Sequence, residues 1–169
     1  ERQTNSGSEP NKPLAIGGTT LFVERYGRVI NEFVYDFNVD SFKTSDMSVL
    51  AEHLTRTNSI VDWTYQQTPD NIIWTVREDG EIAGITYQRQ HKVIGWHHHP
   101  TQGEFKAITS CPGDVREDEV WTIVKRVIQG NDMYYLEKLS PEYKGGDTLE
   151  ATFLDSVVHY RGAPTNVVS

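Results

Sequence analysis

Between residues 60 and 98, large apolar and polar residues alternate in four short runs, each closed by a turn signal. The runs are residues 60–66, 72–77, 82–88 and 92–98. Thr68-Pro69-Asp70-Asn71 and Glu78-Asp79-Gly80 carry the Pro, Asn, Asp and Gly that tight turns need. A side-chain period of two belongs to strands, because successive side chains leave a pleated strand on opposite faces. Val61, Trp63 and Tyr65 are thereby expected on one face of the first run. Four runs with turns this short predict an antiparallel four-stranded meander.

A looser second copy follows. Residues 104–109, 119–128 and 133–139 read as strands, separated by turns at Cys111-Pro112-Gly113-Asp114 and Gln129-Gly130-Asn131-Asp132. Trp74-Thr75-Val76 recurs as Trp121-Thr122-Ile123, 47 positions later. A repeat of roughly 40–50 residues, with short antiparallel strands and a Trp on the second of them, is the pattern of a propeller blade. The expected fold is therefore all-β, with β-propeller-like four-stranded antiparallel sheets forming a partial propeller. Unpaired edge strands are expected near Leu21 and Thr148.

Ahead of the meander, residues 19–25 and 28–37 read as a hairpin around Tyr26-Gly27. Residues 1–18 are mostly polar and read as a flexible arm or loop. Ser45 or Asp46 can cap a helix, and Met47, Leu50, Ala51 and Leu54 then share one helical face. This predicts one short helix, with Leu50 and Leu54 buried. Residues 148–153 look strand-like, and an aromatic stretch runs through 159–164. The expected domain spans residues 19–164, with 165–169 as a truncated tail. The first residues, Glu1-Arg2-Gln3, lack a Met, and the last, Asn166-Val167-Val168-Ser169, look extended. Both ends suggest a piece of a longer chain.

Hydrophobic residues are only 37% of the chain, but four Trp, eight Tyr and six Phe can supply a core of spaced large side chains. The net charge is −8, with no Lys/Arg cluster. That balance argues against gripping nucleic acid, where phosphate neutralisation supplies most of the affinity. Cys111 is the only cysteine, so no intrachain disulfide forms. No apolar run reaches the roughly 20 residues of a membrane-spanning helix.

His97-His98-His99 is the conspicuous chemical feature. In a strand His97 and His99 share a face, which makes them weak candidates for a metal; a third ligand is not evident nearby. Asp114, Glu117, Asp118 and Glu119 lack the spacing of a calcium loop and read as a solvated connection. There is no G-x-S-x-G, Walker A or H-E-x-x-H pattern, and Gly17-Gly18 is too little for a phosphate loop. Asp62 and Asp70 are acids without a recognisable partner, and Cys111 has no sequence sign of activation. Trp63, Trp74, Trp96 and Trp121 could form a sugar-binding set, but the alternation around Trp63 and Trp74 places those two in a core between sheets. No catalytic residue and no cofactor are expected.

Several runs, in order, resemble the tail nozzle or DNA-stabilisation proteins of short-tailed bacteriophages and prophages. They are Leu21-Phe22-Val23-Glu24-Arg25-Tyr26-Gly27-Arg28, Phe33-Val34-Tyr35-Asp36 and Leu50-Ala51-Glu52-His53-Leu54. Trp74-Thr75-Val76-Arg77-Glu78-Asp79-Gly80 follows, then Gly84-Ile85-Thr86-Tyr87, Gly95-Trp96-His97, Glu119-Val120-Trp121 and Tyr135-Leu136-Glu137-Lys138-Leu139. The resemblance covers residues 19–164. It implies a non-enzymatic structural component of a virion tail, made in the bacterial host cytoplasm. Its expected role is in virion assembly and DNA retention, as a ring around the DNA exit conduit. The implied partners are other phage tail proteins, further copies of the chain, and DNA that passes without specific binding. The alternative is a carbohydrate- or receptor-binding tail module that uses exposed aromatics and His97 to His99; a tail-associated hydrolase is a third option.

Overall fold

The computed structural model describes residues 7–88, 91, 93–113, 116–140, 145–146 and 155–157. Among them the fold is mostly β, with three antiparallel sheets of four, four and three strands and one short helix. Sheet 1 holds β1 (Leu14–Ile16), β2 (Thr19–Val23), β3 (Ile30–Asp36) and β4 (Ser41–Asp46). The helix α1 (Glu52–Thr55) leads into sheet 2, made of β5 (Ile60–Gln66), β6 (Ile72–Arg77), β7 (Ile82–Gln88) and β8 (Val93–His99). Sheet 3 holds β9 (Glu104–Pro112), β10 (Asp118–Ile128) and β11 (Asn131–Lys138), with β10 in the middle. Each sheet is a meander of sequence neighbours. The described residues form no closed propeller. The chain divides into two compact units, residues 1–139 and 140–169, and all three sheets belong to the first.

Sheet 2 packs on both faces, most completely at β6 and β7. On one face Trp63, Ile73, Ile85 and Tyr87 pack with Ile16, Leu21, Val23, Ile30 and Met47 of the sheet 1 segment. On the other, Trp74, Val76 and Ile82 pack with Phe105, Ile108, Val120 and Val124 of sheet 3. Consecutive residues of β6 therefore serve two different cores. Trp63 and Trp74 are both buried on adjacent strands, as expected, yet they face opposite ways. Each indole N–H is satisfied at 2.8 Å, by the Lys12 carbonyl for Trp63 and by the Gln66 side-chain carbonyl for Trp74.

Five expectations are corrected. The first concerns the arm at 1–18. From Gly7 onward it pairs with sheet 1: Ser8 bridges to Glu24, and β1 pairs with β2 across a Gly17-Gly18 turn at positive φ. Leu21 is accordingly paired on both sides, with Leu14 and Glu32, and is not at an edge. The second concerns the helix. Residues 41–46 instead form β4, which pairs with β3 over its whole length. Ser45 and Asp46, the expected caps, lie in β4, and Ser48 Oγ accepts from the Ile30 amide at 2.9 Å, leaving a 3-10 turn (Val49–Ala51) and the four residues of α1. A helix that short has little stability of its own, so tertiary pairing prevails. Leu54 is buried; the side chain of Leu50 lies outside the described residues.

The third correction is in β5. Its register shifts at Val61, which has no partner across β6 and is 48% exposed. This bulge puts Ile60, not Val61, on the side of Trp63. The fourth is that Cys111 and Pro112 end β9 instead of forming a turn, with Cys111 exposed. The fifth is that sheet 3 has three strands among the described residues, not four. The expected strand at 148–153, with its edge near Thr148, and the aromatic stretch at 159–164 lie outside the described residues.

The repeat read from the sequence is a repeat in space. Trp74 and Trp121 both sit on the second strand of their sheets. Trp74 faces sheet 3, and Trp121 points to the face of sheet 3 opposite its packed residues Val120 and Val124. Thr75 and Thr122, each fully buried, point the other way. Thr75 Oγ1 donates to the carbonyl of its cross-strand partner Ala83 at 2.9 Å, and Thr122 Oγ1 to that of its partner Glu137 at 3.3 Å. The turns that follow are closed by Gly80 at φ +82° and Gly130 at φ +80°.

Emptying the Trp74 site removes packing between two sheets. Trp74→Ala is expected to cost about 3–5 kcal/mol and to lower the melting temperature of the whole first unit in one transition, measured by circular dichroism. An unchanged melting temperature would show that the contact between sheets 2 and 3 is not structural.

Candidate functional site

Three features could carry chemistry. The first is the histidine run on β8, the outer strand of sheet 2. Gly84 on β7 lies between Trp74 and His97 in the cross-strand register. A side chain at Gly84 would place its Cβ 2.1 Å from the His97 ring, so the missing side chain lets that ring lie across the strand. Trp74 then packs edge-on to His97, with ring centroids 5.5 Å apart, and tilted against His99 at 5.4 Å. His97 and His99 share a face, as the alternation requires, and His97 Nδ1 lies 2.8 Å from His99 Nε2. Burial holds both imidazoles below their ordinary pKa, and His97 and His98 add to the effect at His99. The pair supplies two ligands, and among the described residues no group of three or more His, Cys, Asp or Glu stands together. The geometry is that of a hydrogen-bonded imidazole pair leaning on a tryptophan.

The second feature is a polar seam between sheets 2 and 3. Asp62 Oδ2 accepts from the Ile108 amide at 2.9 Å, and Thr64 Oγ1 from the Ser110 amide at 3.1 Å. Side chains of β5 thus satisfy outward-facing backbone donors of β9. Asp118 does the same in reverse: its Oδ2 accepts from the Gln67 and Thr68 amides at 2.7 and 3.0 Å. Asp62 and Asp118, acids without an evident role in the sequence, are occupied by backbone donors. Glu119 pairs with Lys138 and accepts from the Trp121 indole. The Glu117 carbonyl accepts from the Gly113 amide at 2.9 Å, and Asp114 lies outside the described residues. Among the described residues, no ion pair or hydrogen bond joins Asp70 to another side chain.

The third feature is a cleft of about 870 Å³ lined chiefly by Ile16, Tyr65, Gln67, Asn71, Tyr87 and Gln88. The Tyr65 hydroxyl donates to Asn71 Oδ1 at 2.7 Å, and the Tyr87 hydroxyl to Glu32 Oε1 at 3.1 Å. Asn71 is held at φ +53°, and its carbonyl accepts from the Tyr87 amide at 2.9 Å. Burial, with the Asp118 charge nearby, raises the Tyr65 pKa above its ordinary value. Among the described residues the lining also includes His91, and it carries no Lys, Arg, Asp or Glu side chain. The sequence reading missed this site because its residues sit at strand ends, where alternation gives no signal. Of the remaining tryptophans, Trp96 is half-buried against the first core and donates to the Met47 carbonyl at 3.3 Å, while Trp121 lies under Lys138. The four indoles do not form one surface.

Compared with known proteins, the chain matches no family model and no curated sequence.

The histidine pair sets a sign for pH dependence. A histidine whose folded pKa is lowered binds its proton more readily when unfolded. The stability it contributes is complete above about pH 6.5, the ordinary value, and is lost as pH falls through the lower folded pKa. The double variant His97→Gln/His99→Gln is therefore expected to lose less melting temperature than the parent between pH 7.5 and pH 5.5. An equal or larger loss in the variant would remove these imidazoles as the cause.

Proposed function

We propose that this chain is a structural, non-catalytic β module of a virion tail, of the nozzle or DNA-stabilisation kind. In this reading it contributes to virion assembly and DNA retention at the exit conduit, alongside other tail proteins and further copies in a ring. Its sheets are read as propeller-style blades, layered in series. The observation that carries the reading is the repeat between sheets 2 and 3. The same Trp-Thr pair occupies the same strand, faces the same way and makes the same threonine bond to the next strand. Layers related in this way suit a scaffold that grows by stacking. The ordered string of nozzle-like motifs supplies the tail assignment. A net charge of −8 fits a conduit wall, since a surface without phosphate contacts lets DNA pass without holding it.

A second reading, a carbohydrate-binding tail module, is favoured by the cleft between Tyr65 and Tyr87. Aromatic rings beside the amides of Gln67, Asn71 and Gln88 match the apolar faces and hydroxyls of a sugar.

Immunogold labelling of purified phage particles from cells that carry the gene tests the first reading. Gold confined to the tail end is expected; a protein absent from the particles would overturn it. A glycan array tests the second: silence is expected from a purely structural module. Binding that Tyr65→Ala or Gln67→Ala weakens at least tenfold would favour the carbohydrate reading instead.

A further inference from the structure

The repeat gives each position of sheet 3 a counterpart in sheet 2, and two counterparts differ sharply in burial. Val76 and Ile82 are cross-strand partners on β6 and β7, and both are fully buried beneath sheet 3. Their equivalents, Ile123 on β10 and Leu136 on β11, are cross-strand partners too. They are 41% and 70% exposed. Trp121 precedes them on the same face, and Tyr134 and Val127, 63% and 67% exposed, follow. Sheet 3 thus repeats, exposed, the Trp and the cross-strand apolar pair by which sheet 2 holds its neighbour. Lys138, beside Trp121, and the Lys125–Asp132 ion pair share this face, so its apolar part is the Ile123–Leu136 pair with Trp121, Tyr134 and Val127 around it. Exposed apolar residues grouped in this way mark an interaction site.

The chain itself shows what covers such a face: another antiparallel sheet, packed by its reverse side. At the opposite end of the first unit, the reverse side of sheet 1 is closed at Asn31, half-buried at Phe22, Phe33 and Tyr35, and open at Thr20 and Phe42. Leu21, Val23 and Ile30 point into the core, so Thr20, Phe22, Phe33, Tyr35 and Phe42 point away from it. Phe33 and Phe42 stack with centroids 4.7 Å apart, and Tyr35 packs edge-on to Phe42. Phe42 is 42% exposed and Thr20 is exposed. Forward side at one end and reverse side at the other are the two halves of a head-to-tail contact.

We propose that the outer face of sheet 3 docks a second copy of this chain through the outer face of the second copy's sheet 1. The contact continues the stacking already made between sheets 1, 2 and 3. It is heterologous, so it either closes into a ring or runs on as an open filament. The proposal rests on the layered reading of the fold but not on the tail assignment.

Sedimentation velocity of the 169-residue chain over a range of concentrations is the test. The parent is expected to associate as concentration rises. Ile123→Lys/Leu136→Lys, which blocks sheet 3, and Thr20→Lys/Phe42→Lys, which blocks sheet 1, are each expected to sediment as monomers with unchanged circular dichroism. Mixed one to one, they are expected to form a dimer and nothing larger, because each retains the face the other has lost. Three results would overturn the proposal. One is a parent that stays monomeric throughout. Another is a blocked variant that still associates alone. The last is a mixture that stays monomeric. Particle labelling reads the tail assignment separately, so either idea can fail alone.

Discussion

The first unit depends on one strand having no solvent side. In β6, Ile73 and Thr75 belong to the core shared with sheet 1, and Trp74 and Val76 to the core shared with sheet 3. A strand between two layers must be apolar or β-branched at every position, and Ile72-Ile73-Trp74-Thr75-Val76 is. The polar groups it does bury are paired. Thr75 bonds to the neighbouring carbonyl, and Arg77, 7% exposed, is enclosed by Asp79 and Glu81 at the turn. Burying those groups unpaired would cost more than their packing returns.

The remaining architecture follows from sheet 2 being shared. Sheet 3 is held by apolar contact and by a directional seam in which Asp62 and Thr64 meet the Ile108 and Ser110 amides while Asp118 meets the Gln67 and Thr68 amides. Such bonds fix register, which apolar packing alone leaves free. The same Asp118 anchors one side of the 67–71 turn, and Asn71 on the other side holds the Tyr65 hydroxyl. The walls of the cleft are therefore positioned by the contact between sheets 2 and 3. The histidine pair depends on the layering in another way, since His97 rests on Trp74 across the gap left by Gly84.

Much of this was legible in the sequence, for identifiable reasons. The four strands of sheet 2 were legible because alternation and Asp-Gly or Pro-Asp-Asn turns act locally, and the burial of Trp63 and Trp74 followed from that phase. What escaped depended on partners distant in sequence. Residues 41–46 contain one large apolar residue, Phe42, and form β4 only because β3 offers them the edge that faces away from β2. Residues 14–16 become β1 for the same reason. The Val61 bulge exists because Ile60 and Trp63 must both reach one core, which a single strand pattern cannot express. Asp62 and Asp118 read as bare acids because their partners are backbone amides about fifty residues away. The His97–His99 pairing was visible from the period of two. Its Trp74 support, and the cleft at the strand ends, were not.

Native-state hydrogen exchange tests the shared-layer architecture most directly. If sheet 2 is the common layer, the amides of Ile73, Val76 and Ile85 exchange only through global unfolding of the first unit. The Ile108 and Ser110 amides, which lack a strand partner on that side and rest on Asp62 and Thr64, are then protected nearly as well. Protection that falls into three separate levels, one for each sheet, or Ile108 and Ser110 amides that exchange as fast as loop residues, would contradict it.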